Sequence, residues 1–293
     1  MQYTCQSLLK EGEKRLAEAG ISQANVDAWL LFTSATGFDR TQYFMRGKDS
    51  VAESVAAAYL EKIARRAGRE PLQYIEGTAP FMGYEFIVNE NVLIPRMDTE
   101  ILAAEAINVA GRLCVSRLRG TEIRVLDMCT GSGCIIESVY LKLKEQGYMV
   151  RAAASDVSDK ALDVAKQNAM QLGADITFYQ GNLFENVQGT YHMILSNPPY
   201  IRTDVIEGLE PEVKDHEPML ALDGLKEGLH FYRRIIHDAK SFLEKNGILM
   251  LEIGYDQGME VTQLCRMEGY SDVKIIKDFA GMERVVTARF ANA

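Results

Sequence analysis

Apolar positions early in the chain recur at helical spacing. Cys5, Leu8, Leu9, Gly12, Leu16 and Ala19 form one such series, and Val51, Val55, Ala58, Tyr59 and Ile63 form another. Spacings of three and four place each series on one face of an amphipathic helix. Shorter helices are predicted at 23–36 and 39–46, separated by Gly37, so residues 1–75 read as a helical bundle domain. From Gly77 to Pro95 the pattern changes to Phe81, Tyr84, Phe86, Val88, Val92 and Ile94 around Asn89-Glu90-Asn91. That pattern predicts a β-hairpin or extended linker over 76–96.

Residues 97–293 read as a second domain in which short apolar runs alternate with helical periods. Strands are predicted at 123–128, 150–156, 175–180, 190–196, 247–253, 272–277 and 283–290. Helices are predicted at 133–146, 159–172, 227–245 and 256–268. This alternation predicts an α/β fold with a mostly parallel sheet covered on both faces. In such sheets ligands bind at the carboxyl ends of the strands, near the switch point of strand order. Internal repeats and low-complexity segments are not apparent.

Composition narrows the field. The 293 residues carry a net charge of −9, which disfavours a broad nonspecific grip on a phosphate backbone. Residues 1–75 hold ten Lys or Arg against nine Asp or Glu, leaving 22 against 32 in the rest. The acidic part is the C-terminal one. Lys62, Arg65, Arg66 and Arg69 form a basic cluster, read as a solvated helix face or a contact for RNA or an acidic partner. Cysteines 5, 114, 129, 134 and 265 are an odd set at irregular spacings, so reduced thiols are expected. The four histidines have no partners at ligand spacing, and a metal site is not expected. A membrane span and a signal peptide are both lacking by pattern, and a cytoplasmic location is expected.

Two stretches carry chemistry. "VLDMCTGSGCII" runs from strand through Gly131-Ser132-Gly133 into helix, and its glycines allow close backbone approach to a ligand. Ile136 replaces the third glycine of a dinucleotide loop, and the lysine of a phosphate loop is absent. Asp156 ends the next strand, where a carboxylate can accept both ribose hydroxyls of a nucleoside. Asp127 adds a second negative charge. Acidic groups on both sides suit a cationic ligand, and S-adenosylmethionine, a sulfonium, fits that description. A βαβ turn whose glycines serve packing alone is the alternative. Asn182, with Leu183 and Phe184 as apolar walls, is a candidate for an adenine edge or an ordinary strand-end turn.

The second stretch is "ILSNPPYI". Two prolines forbid continuation of the strand, and they hold the Asn197 carboxamide rigidly at its end. With the glycine loop and Asp156, these residues resemble class I methyltransferases. Asn197-Pro198-Pro199-Tyr200 resembles the motif of those that methylate a planar nitrogen. "PLQYIEGTAPFMGYEFIVNENVLIPRMDTEIL", "EPMLALDG" and "DFAGMERVVTARF" are similar to the HemK/PrmC family, protein-(glutamine-N5) methyltransferases acting on peptide chain release factors.

That resemblance implies a Rossmann-like fold with a seven-stranded, mostly parallel sheet. It implies S-adenosylmethionine as methyl donor, with S-adenosylhomocysteine as product. The implied acceptor is the glutamine of the Gly-Gly-Gln loop of class 1 release factors. It assigns Asn197, Pro198 and Tyr200 to catalysis and Asn197, Pro198, Pro199 and Tyr200 to the substrate. To the cofactor it assigns Asp127, Cys129, Thr130, Gly131, Ser132, Gly133, Asp156, Asn182, Leu183 and Asn197. A monomer without nucleic-acid substrate is expected, and the helical domain is expected to recognise the release factor. Cys129 and Leu225 stand where that family often has glycine, Asn182 where it often has aspartate, and Met97 where proline is common. The rival readings are an adenine-N6 methyltransferase on DNA or RNA, which would add a basic groove, and a non-catalytic binding protein. Glu252, ending an apolar strand, is either structural or pocket-lining. Arg96 and Glu100 are expected to form a structural ion pair.

Overall fold

The computed structural model describes residues 3–116 and 122–291, with the Cys114 side chain outside the described part. The chain divides into two compact units, one comprising residues to Thr78 together with Glu210–His216, the other the remainder.

The first unit contains helices α1 (Cys5–Glu18), α2 (Ala24–Thr36), α3 (Arg40–Arg46), α4 (Glu53–Ala67) and α5 (Leu72–Glu76). Thr4 opens α1 and Asp39 opens α3 through reciprocal capping boxes with Ser7 and Gln42, which satisfy otherwise orphaned amides. Leu8, Leu16, Leu31, Phe32, Tyr59 and Ile63 form the core. Gly12 belongs to that stripe because a Cβ there would lie 1.9 Å from the Tyr59 hydroxyl oxygen. The basic cluster is an ion-paired face in which Arg65 stays exposed and Arg66 is buried. Lys62 pairs with Glu76, Arg65 with Glu70, and Arg66 with Asp27 and Glu212, while Arg69 lies 3.5 Å from Glu212. Arg66 is 8% exposed, and burial of a guanidinium requires such partners.

The second unit begins with a hairpin, β1 (Thr78–Phe81) and β2 (Tyr84–Ile87). Its turn is Met82-Gly83, both at positive φ, as a two-residue hairpin requires. Asn89–Asn91 therefore lies beyond the hairpin and does not form its turn. Helix α6 (Glu100–Ser116) follows, outside the set of helices expected from the sequence. Then come β3 (Ile123–Met128), α7 (Cys134–Glu145), β4 (Val150–Asp156), α8 (Asp159–Leu172), β5 (Ile176–Gln180) and β6 (Tyr191–Ser196). Three one-turn helices follow, α9 (Thr203–Ile206), α10 (Pro211–Lys214, part of the first unit) and α11 (Met219–Leu222). The chain ends with α12 (His230–Asp238), β7 (Leu243–Glu252), α13 (Gly258–Met267), β8 (Tyr270–Lys277) and β9 (Glu283–Phe290). The helix predicted at 227–245 is shorter, because Leu243 already pairs with Tyr191 in the sheet.

The seven strands lie in the order β5-β4-β3-β6-β7-β9-β8. All neighbours are parallel except β9, which is antiparallel to both β7 and β8. Strand β3 explains the continuous apolar runs. Val125 enters a core with α6 and α7, whereas Leu126 enters one with α12 and α13. Alternate residues thus face two dry layers, and each such buried aliphatic side chain contributes about 2 kcal/mol. Strand order reverses between β3 and β6, so their carboxyl ends diverge into a crevice. Among the described residues, no helix is long and apolar enough to cross a membrane.

Candidate active site

The glycine loop leaves β3 through Cys129, Gly131 and Gly133, all in the left-handed region at φ 58°, 56° and 81°. A non-glycine residue pays a steric penalty there, and Cys129 carries it. Gly133 is required twice over, since a Cβ would also stand 2.2 Å from Glu137 Oε1. The loop is braced by its acids. The Thr130 hydroxyl donates to Asp127 Oδ2 at 2.6 Å, and Gly131 N donates to Asp156 Oδ2 at 2.9 Å. Ser158 N donates to Asp156 Oδ1 at 2.9 Å.

Asp127 is fully buried and its Oδ1 has no partner. Burial lifts its pKa to about 7, against the Thr130 hydrogen bond and with a further push from Asp156. Asp156 is raised by burial as well, with its backbone donors opposing.

Asn197 follows β6. Ser196 and Met128 are register partners, and Ser196 Oγ donates to the Met128 carbonyl at 2.8 Å. Asn197 Nδ2 donates to Thr99 Oγ1 at 3.4 Å. Pro198 and Pro199 are buried, and Tyr200 is half-buried. The backbone of Tyr200 is clasped by a second loop. Gln257 Nε2 donates to the Tyr200 carbonyl at 3.1 Å, and Cβ atoms at Gly224 or Gly228 would lie 2.7 and 2.4 Å from Tyr200 backbone atoms. Leu225 between them adopts φ 65°, a glycine conformation occupied by a branched residue. Burial raises the Tyr200 phenol well above its ordinary range.

A cleft of about 990 Å³, measured out to its open mouth, gathers Cys129, Thr130, Gly131, Ser132, Asp156, Asn182, Leu183, Asn197 and Pro199. Asp127, Gly133, Pro198 and Tyr200 are not among the residues that line it. Asn182 is on the wall, but its Oδ1 accepts from Arg234 Nη1 at 3.0 Å. Its acceptor is therefore shared with a guanidinium.

Other wall residues come from the two segments that resemble the family but were given no site role: Val92, Pro95 and Arg96 after the hairpin, and Leu220 and Ala221 of α11. Arg96 pairs with Glu217, not with Glu100. Glu100 instead accepts from Met82 N at 2.6 Å, stabilising the hairpin turn. Thr99 also lines the cleft, and Glu252 is buried behind it. Their only sequence signals were a polar residue at a helix start and a carboxylate ending an apolar run.

Two family descriptions match the chain, PrmC N-terminal domain over residues 7–77 and methyltransferase small domain over residues 96–208. The chain is 39% identical over 288 residues to a release factor glutamine methyltransferase of Agrobacterium fabrum, covering 98% of this chain and 97% of that one. It is 37% identical over 290 residues to one of Moorella thermoacetica, covering 97% and 98%. The solved N-terminal domain of human METTL16 shares the fold, with a TM-score of 0.52 at 18% identity over 89% of this chain and 94% of that one.

Proposed function

The chain belongs to the release factor glutamine methyltransferase family, and from that premise we infer that its cleft takes S-adenosylmethionine and presents a release-factor glutamine to it. One observation carries this reading. The glycine loop and Asn197 leave adjacent strand ends, tied by the Ser196 Oγ to Met128 carbonyl bond of 2.8 Å, so cofactor and acceptor would meet at one point.

The residues present suit the cofactor. Asp156 ends β4 at the ribose position, Leu183 and Ile135 supply apolar walls, and Asp127 holds an unpartnered oxygen below the loop. Residues 127–134 contain no Lys or Arg to favour a phosphate. S-adenosylmethionine, when bound, supplies an electrophilic methyl group on a sulfonium.

The acceptor is the harder half. An amide nitrogen is a poor nucleophile because its lone pair is delocalised, so geometry must do much of the catalysis. Asn197 Oδ1 and the Pro198 carbonyl accept the two N–H bonds of the glutamine NH2, and Tyr200 packs on the amide plane. Both acceptors are held by a proline-stiffened strand end, so little reorganisation is needed as positive charge grows on nitrogen. A single chain supplies the whole site, in keeping with a monomer working in the cytoplasm on class 1 release factors.

The test is incubation with S-adenosylmethionine and a class 1 release factor, followed by mass spectrometry of the Gly-Gly-Gln peptide, with an adenine-containing duplex in parallel. Gain of one CH2 on that glutamine, lost in a Gln-to-Ala factor, is expected. Methylation of the duplex alone would overturn the reading.

A further inference from the structure

Glu252 is the last residue of β7 and only 2% exposed. Its Oε2 has no hydrogen-bond partner, and the Thr99 and Asn197 side chains stand near enough to the carboxyl to favour its charged form. Thr99, 3% exposed, in turn accepts from Asn197 Nδ2 at 3.4 Å. A carboxylate can only accept, and a hydroxyl has one hydrogen to give. Thr99 Oγ1 already accepts from Asn197, so its hydrogen is left to be given to the neighbouring Glu252, and an ionised Glu252 favours one direction: Asn197 NH2 to Thr99, Thr99 O–H toward Glu252.

We propose that Glu252, acting through Thr99, is a positioning residue that sets which way round the Asn197 carboxamide stands, turning its oxygen toward the acceptor amide. This rests on the reading that Asn197 accepts from the glutamine NH2. A flipped carboxamide would set NH2 against NH2 and remove one of the two acceptors. Hydrogen bonds in series also polarise one another, so an anionic end makes Asn197 Oδ1 a better acceptor as charge develops on the substrate nitrogen.

The direction depends on the ionisation of Glu252, which burial raises to about 7 against the pull of Thr99, Arg284 and Asn197. The groups facing it are Asp98 and Arg284, paired with each other at 3.1 Å, and the side chains of Tyr200, Tyr232 and Cys134. Burial raises both phenols and the thiol, keeping them neutral near pH 7. Below its pKa Glu252 gains an O–H that can donate to Asn197 Oδ1, and the fixed direction is lost. Transfer should thus rise with pH through about 7. Asp127 titrates in the same window, but it lies under the cofactor loop, so its effect falls on cofactor affinity.

The experiment measures kcat for glutamine methylation at saturating cofactor and release factor between pH 6 and 8.5, with cofactor Kd by calorimetry. Loss of one pre-aimed hydrogen-bonding group costs about 10²–10³ in kcat, which is the ceiling here. Glu252→Gln should lower kcat by about tenfold or more, abolish the rise through pH 7, and leave the cofactor Kd within about twofold. The double variant Asn197→Ala/Glu252→Gln should be no slower than Asn197→Ala alone, because the two act through one group. Thr99→Val, which exchanges the hydroxyl for a methyl of similar size, should also lower kcat and carries the test should Glu252→Gln fail to fold. Wild-type kcat in Thr99→Val, an unchanged pH profile in Glu252→Gln, or multiplicative losses in the double variant would each overturn the proposal. Absence of glutamine methylation by the wild-type protein would instead remove its premise, and the two failures are told apart before any variant is made.

Discussion

Glu137 stands in the first turn of α7, fully buried, with neither carboxyl oxygen hydrogen-bonded. Burial, with a push from Asp127, lifts its pKa to about 9. The helix N-terminus favours an anion by only about 0.3–1 kcal/mol, too little to offset several pKa units at 1.36 kcal/mol each. The folded protein therefore holds a proton that the unfolded chain releases above its ordinary value of 4.5. The sign follows: stability conferred by this group is complete below pH 4.5 and is lost as pH rises toward 9. Gln matches the protonated side chain in size and polarity, so Glu137→Gln removes the titration and little else. The variant should gain nothing near pH 4.5 and about 3 kcal/mol at pH 7, the gap widening by about 1.4 kcal/mol per pH unit between. Urea denaturation followed by far-ultraviolet circular dichroism at pH 5, 6, 7 and 8 measures this, with m-values checking that both chains unfold alike. A difference that stays constant with pH, or a variant less stable at pH 8, would refute the reasoning.

Asn197→Ala should lose glutamine methylation by about 10²-fold or more while keeping cofactor affinity, as read by calorimetry; Asn197→Asp should also be poor, since it brings charge next to the cofactor's sulfonium. Gly228→Ala places a Cβ 2.4 Å from the Tyr200 carbonyl at φ 69°; it should cost about 1–3 kcal/mol and lower kcat, checked by urea denaturation and turnover. Leu225→Gly relieves a left-handed residue worth about 1–2 kcal/mol against the added chain entropy of glycine, so a melting temperature equal to or slightly above wild type is expected, and a clear drop would count against strain at that loop.

What could be read in advance depended on how local each signal was. The strands around the site were legible because burial on both faces makes runs such as Val125-Leu126 and Ile194-Leu195 continuous. Helix α6 had a stripe too, in Leu102, Ala106, Val109 and Leu113, but alanine dilutes its contrast and it adjoins an irregular linker. The hairpin turn was misplaced because Asn89-Glu90-Asn91 carries stronger turn chemistry than Met82-Gly83. The true turn is helped by Glu100, 18 residues away. Gly131, Asp156 and Asn197 announced themselves by motif. Thr99 and Glu252 had none, because their role arises only where a helix start and a strand end converge on Asn197. The basic residues of α4 misled for a related reason: partners such as Glu212 lie far off in sequence.

That distance has a consequence in time. Arg66 and Glu212 are 146 residues apart, and both belong to the first compact unit. At about 5–20 residues per second of synthesis, the ribosome needs roughly 7–30 seconds to supply the second carboxylate. During that interval the emerging bundle has Asp27 alone against the Arg66 charge. The helical unit, although its helices are made before the methyltransferase sheet, is completed only after most of that sheet has been made.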